Sequence, residues 1–521
     1  MMKCLSILVL LNFLFSVNGY RILLVSPLPA KSHVILGEAL VNHLANAGHE
    51  VTYITGLAPN KNRPDVRVMQ IQGTAELLID DEPAMSIKSK LETSGGNEFV
   101  NVAPFTLHVN KITLQDPQVQ KLISDKNEEF DLVIIEWLYL EMMSGFSALF
   151  NCPFIWFSTV EPHRMVLQLI DQDHNPAYTV GITSFNVPLL TFSQRVQELG
   201  AMIFEKLVKK FYVSGIENDI YNEIFAPEIR KRGYPVPTLE ELKFNASLIL
   251  SNSHVSMGTA TVLPPSLVHI GGYHIDNNVK PLPADLQKLM DNAKHGVIYF
   301  SMGSNLRSKQ FPEVLRRQLL QVFGELKQMV IWKFEEELPN RPSNVHIIQW
   351  APQQSILAHK NCALFITHGG LLSTTETIHY GVPIIGIPVF GDQFVNVARG
   401  VQKGFARKVD LSYEMASELR TAINEVLSNP KYTIKVKELS KIYHDRSVHP
   451  SKDLVHWTEH VIKTGGAPHL RPSRFFMPWY QKLYLDLILV IIAIFISIKY
   501  LLSYLLSLLR QKEVTKSKKF N

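Results

Sequence analysis

Along most of the chain, short continuous apolar runs alternate with stretches whose apolar residues recur at helical spacing. Arg21–Ser26, Val51–Ile54, Phe130–Glu136 and Phe154–Phe157 in the first half have the length of buried parallel strands, as do Gly296–Phe300, Val330–Lys333, Val345–Gln349 and Ala363–Ile366 in the second. Between them, Val34, Leu36, Leu40 and Leu44 predict a helix, as do Pro312–Gln328, Glu414–Leu427 and Pro450–Thr464. Strands alternating with helices imply parallel sheets, and a Gly- and Pro-rich interval divides them into two halves. Residues 60–127 read as polar and irregular, with helical patches only near Ala75–Leu78 and Val119–Ile123; variable loops over a pocket and plain surface fit this equally. Thr191–Lys210 has helical spacing and is a candidate wall for such a pocket.

The two ends carry a different pattern. Lys3, an apolar run from Leu5 to Val17 and the small residue Gly19 read as a secretory signal over residues 1–19. From Leu487 to Leu509 the chain is apolar apart from Lys499 and a few serines, long enough to cross a bilayer of roughly 30 Å, and residues 485–509 are expected to form a single membrane helix. The basic tail, 510–521, should stay cytosolic, leaving everything before the span in the lumen. Its last residues, Lys518-Lys519-Phe520-Asn521, fit a dilysine retrieval signal, so the expected address is the endoplasmic reticulum membrane. Asn245-Ala246-Ser247 is a glycosylation sequon that a lumenal location would make usable.

Composition is globular with a membrane contribution: 46% hydrophobic and 19% charged residues. The net charge of +5 first suggests a nucleic-acid partner, but the tail holds five basic residues and one acidic one, so nearly all the excess lies there and that class is set aside. Of the three cysteines, Cys152 and Cys362 lie before apolar strands in different halves and read as buried thiols.

The chemistry concentrates between Trp350 and Gln393. The run ending at Ile366 passes through Thr367-His368-Gly369-Gly370 into a segment of helical spacing. A strand, a glycine turn and a helix start present free backbone N–H groups and the positive end of a helix dipole, which suits a phosphate; a bare tight turn would look the same. Glu376, two turns into the helix, could accept from ribose hydroxyls, so turn and carboxylate together suggest a nucleotide. Trp350 offers a flat face for a base, Gln353 an amide for its edge or the ribose, and Asp392-Gln393 an acceptor beside a donor-acceptor, suited to sugar hydroxyls. His33, at the mouth of the first helix, is placed to take a proton from a hydroxyl; as an isolated residue it is an ordinary helix-end histidine. Asp171-Gln172-Asp173 has the look of a metal-binding acid pair but follows no buried strand and reads as a surface turn.

The spacing from Trp350 through Gln353, His368, Glu376 and Asp392-Gln393 resembles the signature of the UDP-glycosyltransferase family, in its animal, membrane-anchored branch. The resemblance implies an α/β chain of GT-B type: two facing Rossmann-like domains with parallel sheets, plus a C-terminal transmembrane helix. Its implied divisions are an acceptor-binding domain over 20–270, a linker over 271–285, a UDP-sugar-binding domain over 286–445 and a helical return over 446–484. It assigns Trp350 to uracil, Gln353 and Glu376 to uridine, His368, Gly369, Gly370 and Ser373 with Gly303 and Ser304 to the diphosphate, and Asp392 and Gln393 to the sugar, and it places Ala351 in the UDP-sugar site with them. Leu372 departs from the pattern, since many members carry Asn there. The family's catalytic histidine falls on His33. The aspartate that orients it falls on Glu136, one methylene longer, with Glu141 as second candidate. The implied activity is inverting, metal-independent transfer of a hexose, UDP-glucose favoured, to a hydroxyl of a small lipophilic acceptor, with no cofactor. Glucuronic acid as the sugar, a non-catalytic UDP-sugar binder, and homo- or hetero-oligomers stay open as alternatives.

Overall fold

A computed structural model describes residues 19–60, 63–79, 87–92, 98–170, 175–258, 260–276 and 278–517. The signal segment, the Asp171–Asp173 acid pair and the last four residues lie outside the described residues.

The first sheet contains β1 (Arg21–Ser26), β2 (Glu50–Thr55), β3 (Val66–Gln70), β4 (Leu132–Glu136), β5 (Phe154–Ser158), β6 (Ile249–Ser251) and β7 (Leu267–His269) in the order β3-β2-β1-β4-β5-β6-β7. The second contains β8 (Val297–Ser301), β9 (Met329–Lys333), β10 (Val345–Ile348), β11 (Cys362–Thr367), β12 (Ile384–Gly386) and β13 (Ala406–Lys408) in the order β10-β9-β8-β11-β12-β13. The strands of both sheets pair in parallel. Each sheet is covered on both faces, which is why its central strands are apolar throughout instead of alternating. In each sheet the order reverses at the first strand of its half, β1 or β8, and the crevice at the C-terminal strand ends beside such a reversal is where open α/β sheets bind ligands.

The helices that matter for the site are α1 (Lys31–Asn46), α2 (Glu98–Gln115), α3 (Phe192–Val208), α4 (Leu371–Tyr380), α5 (Gln393–Gln402), α6 (Lys431–His444), α7 (Pro450–Lys463) and α8 (Leu485–Ser517). α7 comes after the second sheet yet buries Leu454 and Val461 among Ile22, Leu24 and Leu36 of the first half. Each fully buried aliphatic side chain contributes about 1.5–3 kcal/mol over its exposed state, so this return helix ties the two halves together.

The reading of residues 60–127 as irregular requires correction: they hold the edge strand β3 and the 18-residue α2. α2 carries Pro104 in its interior, a residue that argues against a helix locally and is outweighed here by the burial of Ala103, Phe105, Val109 and Leu114. Cys152 and Cys362 are free thiols, and burial pushes both up to about 12. The segment Arg471–Asn521 is a separate unit, and within it Leu485–Lys512 is long and apolar enough to cross a membrane.

Candidate active site

β1 and β4 pair with Val25 opposite Ile135, so the strands end level and Ser26 comes beside Glu136. Glu136 Oε2 accepts from Ser26 Oγ at 2.6 Å, and Oε1 binds His33 Nδ1 from the first turn of α1. The carboxylate is buried, while the imidazole retains 19% of its surface. A histidine that donates Nδ1–H to a carboxylate keeps its Nε2 lone pair free to accept a proton. The longer side chain of Glu136 thus reaches the ring with one oxygen while Ser26 holds the other. Glu141 is engaged elsewhere. Its Oε1 accepts from Trp137 Nε1 at 2.9 Å, and its Oε2 lies 2.7 Å from Lys209 Nζ, which also pairs with Glu217.

Across the cleft, β11 runs into His368, and Gly370 is the N-cap of α4, which has no side-chain cap on its first turn. The first backbone N–H groups of a helix have no intrahelical partner and face its positive end, so this turn is suited to an anion. The glycines here have a second cause beyond close approach of a ligand. A Cβ on Gly370 would stand 2.6 Å from His368 Nε2, and one on Gly303 (φ +89°) 2.5 Å from His368 Cε1. The imidazole occupies the volume that side chains at 303 and 370 would need. Gly303→Ala is therefore expected to lower kcat/KM for the donor by about tenfold or more, since displacements on the order of 1 Å at a reacting group cost up to 10²-fold; steady-state kinetics at varied donor checks this. Burial, reinforced by the charge of Lys333, lowers the pKa of His368 to about 4. It is therefore neutral at physiological pH and able to donate one N–H.

Glu376, in α4, accepts from Gln353 Nε2 at 2.5 Å and Gln354 Nε2 at 3.0 Å; burial raises its pKa against those bonds. Gln353 also donates to Ser373 Oγ at 3.3 Å and accepts from Tyr299 at 3.2 Å. Asp392 Oδ2 accepts from Asn396 Nδ2 at 2.8 Å, and burial raises its pKa too. Gln393 spends its amide oxygen on the backbone, accepting from Val389 N at 2.8 Å and Phe390 N at 3.1 Å, so that oxygen shapes the loop. Trp350 is 53% exposed, with Lys31 Nζ 4.3 Å and Lys333 Nζ 5.9 Å from its ring centroid, so a flat group stacking on the indole shares the ring with these ammonium groups or displaces one.

A cleft of about 820 Å³ brings together His33, Gly303, Ser304, Trp350, Ala351, Gln353, His368, Gly370, Ser373, Glu376, Asp392 and Gln393. Glu136 stands behind His33, and Gly369 behind the turn against Val397. Glu141 and the exposed Asn245 lie elsewhere. The cleft takes no lining residue from α3, so the candidate wall at Thr191–Lys210 is not part of it.

Sequence reasoning missed Ser26, Lys31, His274, Lys333 and Gln354. Lys333 had a signal: a cation closing the apolar strand Met329–Lys333 at its C-terminal end. Its Nζ donates to Gly303 O at 2.9 Å and puts a positive charge near His368. His274 had none, since its burial comes from packing of the linker. Its Nε2 lies 3.8 Å from Glu376 Oε1, and burial lowers its pKa from 6.5 to about 3. Below the unfolded value the unfolded chain binds a proton that the folded chain does not. Stability contributed by the neutral ring should therefore fall from about pH 6.5 towards pH 3, at up to about 1.4 kcal/mol per pH unit. Thermal melting between pH 7 and pH 4 is expected to drop steadily, and less steeply in His274→Asn.

Set beside known proteins, residues 22–520 match the family described as "UDP-glucoronosyl and UDP-glucosyl transferase". The chain is 34% identical over 484 residues to UDP-glucosyltransferase 2 of Dactylopius coccus, covering 92% of each. It is 29% identical over 500 residues to UDP-glucuronosyltransferase 3A1 of Bos taurus, covering 92% of this chain and 91% of that one. Among solved structures it is similar to the spinosyn forosaminyltransferase SpnP, with TM-score 0.53 and 16% identity over 85% of this chain and 99% of that one, a likeness of GT-B fold.

Proposed function

Since the chain belongs to the UDP-glucuronosyl and UDP-glucosyl transferase family, we propose that this sugar-transferring enzyme works by direct displacement, with inversion, on a hydroxyl of a small lipophilic acceptor, UDP-glucose being the favoured donor. The observation that carries the reading is that the His33–Glu136 pair and the His368–Gly370 helix start face one cleft from opposite halves. His33 Nε2 takes the proton as the acceptor oxygen attacks the anomeric carbon, and Glu136 stabilises the imidazolium that forms. The bond from that carbon to the diphosphate breaks, and the negative charge on the leaving UDP is met by the N–H groups at the start of α4, by His368 and by the field of Lys333, fixed dipoles and a charge in place of a divalent ion. Glu376 takes the ribose hydroxyls, Trp350 the uracil, and Asp392 the sugar. A lipophilic acceptor is supported by Ile35 and Ala39, apolar side chains that α1 contributes to the cleft beside His33. Glucose is supported by the name of the Dactylopius coccus relative, and an anchored enzyme in the endoplasmic reticulum by the apolar C-terminal helix with its basic flank.

The test is a donor screen with the purified chain, a panel of phenols and excess chelator, with mass detection of conjugates. Glucoside formation in chelator supports the reading. Exclusive use of UDP-glucuronic acid would overturn the donor, and activity that returns only with added magnesium or manganese would overturn the leaving-group scheme.

A further inference from the structure

Behind the first turn of α4 the two halves enclose a small cavity of about 20 Å³, room for one water molecule. The first half lines it with Glu161, three residues beyond β5. The second half lines it with Asn396, Arg399 and Lys403, which follow one another at spacings of three and four and so share a face of α5. An acid and a guanidinium from opposite halves are thus buried at one place. Yet among the described residues Glu161 Oε1 and Arg399 Nε and Nη1 are buried without a hydrogen-bond partner. A charge taken out of water costs several kcal/mol unless another group meets it, and native proteins leave few buried polar atoms unmet. The groups that face Glu161 are the cations Arg399 and Lys403, the carboxylate of Asp392 and the backbone N–H of His254. Arg399 in turn faces Glu161 and Asp392. Attraction outweighs repulsion at the acid, and Leu371 and Phe405 keep the space between apolar, where charges act on each other more strongly than in water.

One side chain connects this cavity to the main cleft. Asn396, in its wall, donates to Asp392 Oδ2 at 2.8 Å and to Gly369 O at 3.2 Å. A shift of α5 at Arg399 therefore reaches both the carboxylate given to the sugar and the turn given to the diphosphate. We propose that Glu161 and Arg399 form a latch between the halves: as the donor draws the halves together the carboxylate meets the guanidinium, and the pair holds α5 where Asn396 presents Asp392 to the sugar. Both are positioning residues, set behind the cleft and acting through Asn396. The inference rests on the reading of Asp392 as the sugar's acceptor and adds to it the contact that aligns it. Burial pushes the Glu161 carboxyl up to about 7, so the latch closes above that pH and is lost below it, where the protonated acid offers Arg399 no charge.

The test compares the full chain in detergent with Glu161→Gln, Arg399→Gln and the double variant. It reads heat protection by UDP and by UDP-glucose, or by UDP-glucuronic acid if the parent turns over only that, and kcat/KM at varied donor. Each single change is expected to lower kcat/KM about tenfold and the double change no further, because residues that act as a unit do not add. Protection by UDP should match the parent, while the extra protection that the sugar gives shrinks. The ratio of parent to Glu161→Gln in kcat/KM, which reports groups of the free enzyme and cancels what His33 contributes, should grow from near one at pH 5.5 to about tenfold at pH 8.5. Gly258→Ala keeps the acid and moves it, since a Cβ there would stand 2.5 Å from Glu161 Oε2. It should reproduce the loss, and it carries the test if Glu161→Gln does not fold. Variants that work as the parent does, or a double change that multiplies the two single losses, overturn the latch and leave the reading of Asp392 standing. A parent that the UDP-sugar protects no better than UDP removes that reading and the latch with it.

Discussion

Replacing His33 with Ala is expected to lower kcat for a hydroxyl acceptor by about 10²- to 10⁴-fold, the range that a positioned general base contributes, while UDP still protects the enzyme against heat as it does the parent. The split follows from the placement: the imidazole binds Glu136 and lines the cleft from the first half, whereas Glu376 and Trp350 belong to the second. Glu136→Gln should also be slow, since an amide can hold the ring but carries no charge to set against an imidazolium. Glu141→Gln should act on stability, through the buried Lys209 and Glu217, and leave the rate of the folded enzyme near normal. Full turnover in His33→Ala would remove the base assignment.

His368→Ala is expected to lower kcat/KM for the donor by about 10²- to 10³-fold, the cost of deleting one preorganised donor to a developing negative charge. The ring is neutral because burial and Lys333 hold its pKa near 4, so its contribution is a hydrogen bond and the loss should be flat from pH 6 to pH 8. His368→Asn, which keeps an N–H donor, should recover part of the rate. A variant that binds donor as the parent does and turns over at the parent rate would show that the diphosphate sits elsewhere.

The parts of the site that the sequence displayed are those in which one local motif carries the chemistry. β11, its glycine turn and α4 follow one another without interruption, so periodicity and two glycines were enough to place a helix start and Glu376 on it. The alternation of strands and helices likewise announced two parallel sheets. Contributions assembled across the fold were hidden. Ser26 reaches Glu136 only because two strands 110 residues apart end level. Gln393 lines the cleft, but that its amide oxygen also holds the backbone of its own loop could not be read from its place beside Asp392. α2 was concealed by an interior proline and by apolar residues divided between two clusters, Ala103 and Leu114 in one and Phe105 and Val109 in the other. That α3 buries Glu198 and Glu205 and exposes its apolar residues could not be read at all, since spacing shows that a helix has two faces but not which of them the protein covers.

Direct displacement by an oxygen activated at His33 fixes the stereochemistry of the product, because attack must come from the side opposite the departing UDP. With UDP-α-glucose as donor, proton NMR of the purified conjugate should show a β-glucoside. An α-glucoside would mean that the sugar passes through a second displacement or a front-side path, and would contradict the role given to the His33–Glu136 pair.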